Sequence, residues 1–265
     1  MVTPAIRTAL ITGASAGMGA EFARQLAAAG TNLILVARRK ERLEALSAEL
    51  SARHGISVEV LQADLASQDG IEGVRGRIAS ADTLDLLINN AGFGGTGVFS
   101  KSDVAYALGM VRVQVDAAVS LSRAALDGML ARGRGAIINV ASVAAFSAVS
   151  GPMYGGCKAF LVKFSEGLHY ELKDRGVRIQ ALCPGMTHTE FHDVIKMDKS
   201  TIPAFMWMSA ADVVRISLKA LRRGKVICIP GWKNRLVSAP MRCAPTAWLL
   251  RKIANLPAIR KKASL

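Results

Sequence analysis

The sequence predicts one α/β domain built on a doubly wound parallel sheet of seven strands, with helices on both faces and a basic C-terminal extension. Three observations lead there. Short apolar runs alternate with helical stretches along most of the 265 residues. Those runs are continuous rather than alternating, as strands covered on both faces require. A glycine-rich turn joins the first strand to the first helix, Thr12-Gly13-Ala14-Ser15-Ala16-Gly17-Met18-Gly19. The length suits one large domain, and with 51% hydrophobic residues a sizeable core is available.

In order, strands are expected at Thr8–Thr12, Asn32–Val36, Ser57–Leu61, Leu84–Ile88, Gly135–Val140, Val177–Leu182 and Lys225–Ile229. Helices are expected from about Gly17 to Ala29, Glu41 to Arg53, Ser102 to Ala131, Pro152 to Arg175 and Ala211 to Leu221. No internal repeat or second folded domain is visible. The reading is a catalytic domain over residues 1–231 and an extension over 232–265.

Gly13 permits the tight turn, and Gly17 and Gly19 let a pyrophosphate approach the helix start, whose N–H groups and dipole favour an anion. A nucleotide site is therefore expected. Its second strand ends Val36-Ala37-Arg38-Arg39, with no acid to hold a ribose 2′-hydroxyl. A guanidinium there binds a 2′-phosphate through charge-assisted hydrogen bonds, so NADP(H) is favoured. Arg38 is the better candidate by its place at the strand end; Arg39 either shares the task or starts the charged surface of the next helix.

Tyr154 and Lys158 share one helix face at i,i+4, twelve residues after Ser142 at the end of an apolar strand. A nearby ammonium favours the ionised phenol, so the Tyr154 pKa is expected to fall toward neutrality, fitting it for proton transfer.

Together these pieces resemble the short-chain dehydrogenase/reductase family over about residues 6–230. The motifs are TGASAGMG at 12–19, Asp64-Leu65, Asn89-Asn90-Ala91-Gly92, Ser142, Tyr154-x-x-x-Lys158 and Pro184-Gly185. The resemblance implies a Rossmann-type fold whose cofactor lies on Ser15, Met18, Asp64, Leu65, Asn90, Ala91 and Gly92 as well as the glycines. Asp64 would meet the adenine, Ala91 its ribose, and Asn89 would brace the sheet. Lys158 would hold the nicotinamide ribose and lower the Tyr154 pKa. Pro184, Gly185 and Thr187 would border the nicotinamide. NADPH would give hydride to a ketone carbon while Tyr154 protonates the alkoxide and Ser142 steadies that oxygen. Where the family usually carries an Asn completing the catalytic set, this chain has Gln114, which puts the proton relay through Lys158 in question.

By the same resemblance, residues 186–210 form a lid over the substrate. Phe191, Val194, Ile195, Met197, Met206 and Trp207 on one side and Phe93, Phe146, Val149 and Met153 on the other either line a pocket for an apolar ketone or pack on the body. The similarity points to ketoacyl reductases and 17β-hydroxysteroid dehydrogenase-like members. The competing readings are a hydroxyl dehydrogenase for a small alcohol or amino acid, and an idle nucleotide-binding scaffold. Association through the long helices into a homodimer or homotetramer is a family-level expectation.

The net charge of +14 is local. Beyond Asp212 there is no acidic residue and thirteen Lys/Arg; the first 212 residues hold the other 21 basic and all 20 acidic side chains. Mixed with Trp232, Leu236 and Trp248, these cations fit either a peripheral contact with anionic lipid or a tail packed on the body. No nucleic-acid reading motif accompanies them. Cys157, Cys183, Cys228 and Cys243 lack paired spacing and read as buried thiols in a reducing compartment. His188 and His192 do not make a credible metal site, and none is expected. The start of the chain does not read as a signal peptide, and no uncharged apolar run is long enough to span a membrane. A cytoplasmic protein is expected, peripheral at the membrane where the tail meets lipid.

Overall fold

The computed structural model describes residues 6–94, 99–147, 150–191 and 202–242. Its strands are β1 (Thr8–Thr12), β2 (Asn32–Ala37), β3 (Val58–Gln62), β4 (Leu84–Asn89), β5 (Gly135–Val140) and β6 (Val177–Leu182), with two-residue β7 (Thr187–His188), β8 (Met208–Ser209) and β9 (Ile227–Cys228). The main sheet is parallel throughout, in the order β3-β2-β1-β4-β5-β6-β9. Its order reverses at β1, whose neighbours are β2 and β4, so a crevice opens at the carboxyl ends of those strands.

Apolar layers cover both sheet faces. On one side α1 (Gly17–Ala28) and α7 (Ala210–Arg222) pack Phe22, Leu26, Val213 and Val214 against Ile11, Leu35 and Leu86. On the other, α3 (Gln68–Ala79) and α5 (Ala117–Ala131) pack Ile71, Val74, Leu121 and Met129 against Leu10, Leu87 and Ile137. Both layers exist because every β1 and β4 residue from Ala9 to Ile11 and Leu86 to Ile88 is fully buried.

Two helical features depart from expectation. The α3 helix carries Gly70, Gly73 and Gly76, which mask its signal. It forms because Ser67 caps it, accepting from Gly70 N at 3.1 Å, and Ile71, Val74 and Ile78 share a buried stripe. The single helix expected over 102–131 is instead α4 (Val104–Val111), a π turn over Arg112–Asp116, and α5. The extra residue of the π turn rotates Gln114 inward, where it is buried. By length and composition Val104–Ala131 is apolar enough to cross a membrane, yet Leu121, Ala125, Leu126 and Met129 lie in the core.

The remaining helices are α2 (Lys40–His54), α6 (Pro152–Leu172) and α8 (Trp232–Arg242). The α8 helix follows Gly231, whose φ of 80° turns the chain back onto the domain.

Candidate active site

The glycine loop is shaped by steric exclusion. Gly13 takes a φ of 66°, and a Cβ there would press on Ala91 Cα at 2.9 Å. A Cβ on Gly19 would run into the Gly13 carbonyl oxygen. Beneath the loop, Asn90 Nδ2 donates to the Thr12 carbonyl at 2.8 Å. Thr12 Oγ1 accepts from the N–H groups of Asn90 and Ala91 at 2.9 and 3.0 Å. The Asn90 amide is thus spent on fixing the loop. The free face of the α1 start is left as an anion cradle, with no side chain capping it.

At the end of β2 it is Arg39 whose side chain reaches the loop. Its Nε and Nη2 donate to Ser15 Oγ at 3.2 and 3.1 Å. Arg38 is exposed, and its carbonyl accepts from Gln62 Nε2 at 3.0 Å. Both arginines are exposed at the end of β2, and Arg39 is the one that contacts the glycine loop. Asp64 accepts from Ala66 N at 3.0 Å through Oδ1 and stands exposed after β3, with Leu65 buried beneath it. Ala91 and Gly92 line the opposite lip. A Cβ on Gly92 would lie 3.0 Å from Gln114 Oε1.

Ser142, Tyr154 and Lys158 come together where β5 meets α6. Ser142 caps a short 3₁₀ turn (Val143–Phe146), accepting from Ala144 N at 3.1 Å, and its hydroxyl donates to the Pro184 carbonyl at 3.5 Å. Lys158 Nζ donates to the Val140 carbonyl at 2.8 Å and lies 5.6 Å from the Tyr154 ring centre. Burial pushes the Tyr154 phenol up to about 12, against the smaller opposing effect of Ser142. Burial likewise lowers Lys158 to about 8. The protein groups alone therefore move Tyr154 opposite to the fall expected from sequence. Desolvation is the larger cause, and the Lys158 ammonium spends its hydrogen bond on a backbone oxygen.

Gln114 does not join this trio. Its Nε2 donates to the Phe93 carbonyl at 3.1 Å, while Oε1 is buried without a partner among the described residues. It lines a cavity of about 10 Å³ with Thr12, Asn89 and Leu161, the scale of one water. Asn89 does brace the sheet: Nδ2 donates to Asn139 Oδ1 at 2.8 Å, and Asn139 donates on to Ser165 Oγ at 2.9 Å.

On the substrate side, Pro184 is buried, its carbonyl accepting from Val143 N at 3.0 Å, and Thr187 Oγ1 donates to the Gly185 carbonyl at 3.0 Å. Strands β7 and β8 pair in parallel, Thr187 with Met208 and His188 with Ser209. Phe191 lies against Tyr154, ring centres 5.7 Å apart. Trp207 stacks on His188 at 4.9 Å and Phe93 meets Tyr106 edge-on at 5.1 Å. Phe146 is covered by the Arg242 guanidinium at 5.4 Å. Met153 and Met206 are half-buried. Val149, His192, Val194, Ile195, Met197, Cys243 and Trp248 lie outside the described residues. Cys157, Cys183 and Cys228 are buried free thiols, each raised by burial.

Sequence reasoning missed three participants. Glu190 bridges Arg39 and Arg42. Thr189 lies over Gly17, 3.3 Å from where a Cβ would stand. Asn234 of α8 fills the space a Gly185 side chain would take. Only the i,i+3 spacing of Arg39 and Arg42 could have hinted at the first.

The short chain dehydrogenase family model matches residues 7–200. The chain belongs to the short-chain dehydrogenase family. Its fold is close to that of a short-chain dehydrogenase from Sphingobium yanoikuyae in complex with NADPH, with a TM-score of 0.83 and 32% identity, covering 94% of this chain and 96% of that one. A bulky-bulky ketone specific alcohol dehydrogenase from Comamonas testosteroni matches with a TM-score of 0.78 and 31% identity over 94% of this chain and 92% of that one. A serine 3-dehydrogenase of Rhizobium radiobacter is 37% identical over 187 residues, 69% of this chain and 73% of that protein. Membership makes the chain an oxidoreductase acting on CH–OH and C=O groups with NADP(H). The loop without room for side chains, the open helix start and a β2 end with guanidiniums instead of an acid fit that cofactor.

Proposed function

We propose that this short-chain dehydrogenase reduces the keto group of a bulky apolar substrate, a 3-oxoacyl lipid or a steroid-like ketone. The observation that carries this reading is the apolar approach to Tyr154. The Phe191 ring lies against it, and Met153, one residue before it, Phe146 and Met206 are apolar and only half-buried. Likeness to a bulky-ketone alcohol dehydrogenase supports it.

Bound NADPH supplies the hydride. Tyr154, kept protonated by burial, gives its proton to the developing alkoxide, and the Ser142 hydroxyl, exchanging its long bond to the Pro184 carbonyl, holds the carbonyl oxygen in line. Lys158 stands below, steadied by the Val140 carbonyl, and holds the nicotinamide ribose. Gln114 acts through Phe93 and the loop lip rather than through Lys158.

The test is NADPH oxidation with 3-oxoacyl thioesters, ketosteroids and short hydroxy-amino acids or their keto forms. Bulky ketones are expected to turn over best, and Tyr154→Phe to lower kcat about a thousandfold. Turnover unaffected by that change overturns the mechanism. Preference for a serine-like substrate establishes instead the small-alcohol reading that the Rhizobium relative supports. Turnover of nothing leaves a nucleotide-binding scaffold.

A second proposal concerns location. The α8 helix is inverted: polar Asn234 and Ser238 face the body, while Trp232, Leu236 and Val237 face out. Lys233 lies over the rings of Phe205 and Trp232. With only cations beyond Asp212, this face suits an anionic bilayer, placing a cytoplasmic enzyme peripherally beside its lipidic substrate. Full-length protein should cosediment with phosphatidylglycerol-containing vesicles but not with neutral ones. Serine at 232, 236 and 237 should cut binding about tenfold. Undiminished binding, or loss of a dimer instead, removes the idea.

A further inference from the structure

Residues 187–191 cross the cofactor crevice from end to end. Thr187 pairs with Met208, Thr189 lies over Gly17, Glu190 reaches the end of β2, and Phe191 meets Tyr154. Glu190 makes the tightest of these contacts. Its Oε2 accepts from Arg39 Nη1 at 3.1 Å and its Oε1 from Arg42 Nη1 at 2.6 Å. Arg39 is at the same time the guanidinium that holds Ser15 Oγ on the glycine loop. One carboxylate therefore stands on the cationic group that the loop and the β2 end offer to a 2′-phosphate.

We propose that Glu190 is a built-in surrogate for the cofactor 2′-phosphate, competing with it for Arg39 and Arg42 and setting how strongly the chain prefers NADP(H) over NAD(H). This rests on NADP(H) being the cofactor. A carboxylate and a phosphate cannot share one guanidinium edge without repulsion between like charges. The 2′-phosphate must therefore push Glu190 off, and part of its binding energy goes into breaking two ion pairs. An NAD(H) ribose has no such competitor. Because Glu190 sits between Thr189 and Phe191, its release also loosens the segment that lies over Gly17 and Tyr154. In this way the 2′-phosphate is linked to access at the catalytic tyrosine. The carboxyl is held below its ordinary value by Arg42 and then Arg39, so it is anionic and able to compete throughout the neutral range.

The probes are 2′,5′-ADP, which carries the 2′-phosphate without the nicotinamide, and 5′-AMP, which lacks it. Their dissociation constants are measured by calorimetry on the full-length wild type and on Glu190→Gln. Glu190 is exposed, so the variant is expected to fold, which its unfolding midpoint checks. Removing an exposed competing charge should tighten 2′,5′-ADP about fivefold while changing 5′-AMP by less than about twofold. Hydrogen exchange across 187–191 should rise with 2′,5′-ADP relative to 5′-AMP in the wild type, and differ little in Glu190→Gln. Unchanged or weakened 2′,5′-ADP binding in the variant, or equal tightening of both probes, overturns the proposal. A wild type that binds 2′,5′-ADP no better than 5′-AMP overturns instead the cofactor preference beneath it.

Discussion

The two sides of the crevice are built by opposite means. From Thr12 to Gly19 the nucleotide side is defined by atoms that must be absent: side chains at Gly13 and Gly19 would strike backbone. From Thr187 to Ser209 the substrate side is held by two paired residues at each end and by aromatic contacts such as Trp207 on His188. Backbone crowding tolerates no variation, whereas side-chain contacts can be rebuilt for a different ligand.

The sharpest break of that comparison is Gly19→Ala. Its methyl group meets the Gly13 carbonyl, which cannot yield without moving the loop. A loss of about 3 kcal/mol in urea unfolding is expected, together with loss of NADPH binding. A change under about 1 kcal/mol would show that the loop is softer than its packing implies.

Lys158 sits between the two sides and yields the next largest effect. Its folded value of about 8 lies below its ordinary 10.5, so between those pH values the unfolded chain binds more protons and stability rises with pH. The penalty is complete below about pH 8 and gone above 10.5. Lys158→Met should therefore stabilise the fold at pH 7 by roughly 2 kcal/mol, allowing for the hydrogen bond lost to Val140, and inactivate the enzyme. The gain should vanish at about pH 9.5 and turn into a small loss above it, where only the missing hydrogen bond counts. Tyr154 has the other sign: its folded value of about 12 lies above 10, so its contribution is lost as pH rises through that interval. A Lys158→Met gain that does not change with pH would show that packing, not charge, is responsible.

Phe191→Ala probes the rebuildable side. Stability should change by about 1 kcal/mol or less, since the ring is only half-buried. The KM for a bulky ketone should rise about tenfold with kcat nearly constant, the sign of lost uniform binding. A fall in kcat instead would make Phe191 a positioning residue for Tyr154.

Legibility follows the same division. The strands, the glycine loop and the Tyr154–Lys158 helix face after Ser142 were readable because each depends on local spacing or on a turn that only glycine permits, whereas Asp64 and Asn89 were singled out only by the family resemblance. The α3 helix was hidden by three glycines, and its buried stripe became visible only against the sheet. Gln114 was placed by resemblance where the family's Asn stands; a π turn, which no local pattern announces, buries it and turns its amide to Phe93. Arg38 and Arg39 are adjacent, so sequence could rank them only by strand position, whereas the direction of the chain entering α2 gives the loop to Arg39.

By itself, the sequence determined a doubly wound parallel sheet, a nucleotide crevice lacking the acid that would repel a 2′-phosphate, and a tyrosine–lysine helix face. These are properties of period, turn chemistry and charge. Tertiary structure alone decided the state of the groups once assembled. Burial raises Tyr154 and lowers Lys158, because desolvation depends on what surrounds a group and not on what precedes it. It also decided that Glu190, 151 positions beyond Arg39, stands on the arginine that holds Ser15 of the glycine loop, since such a contact exists only after the chain has folded.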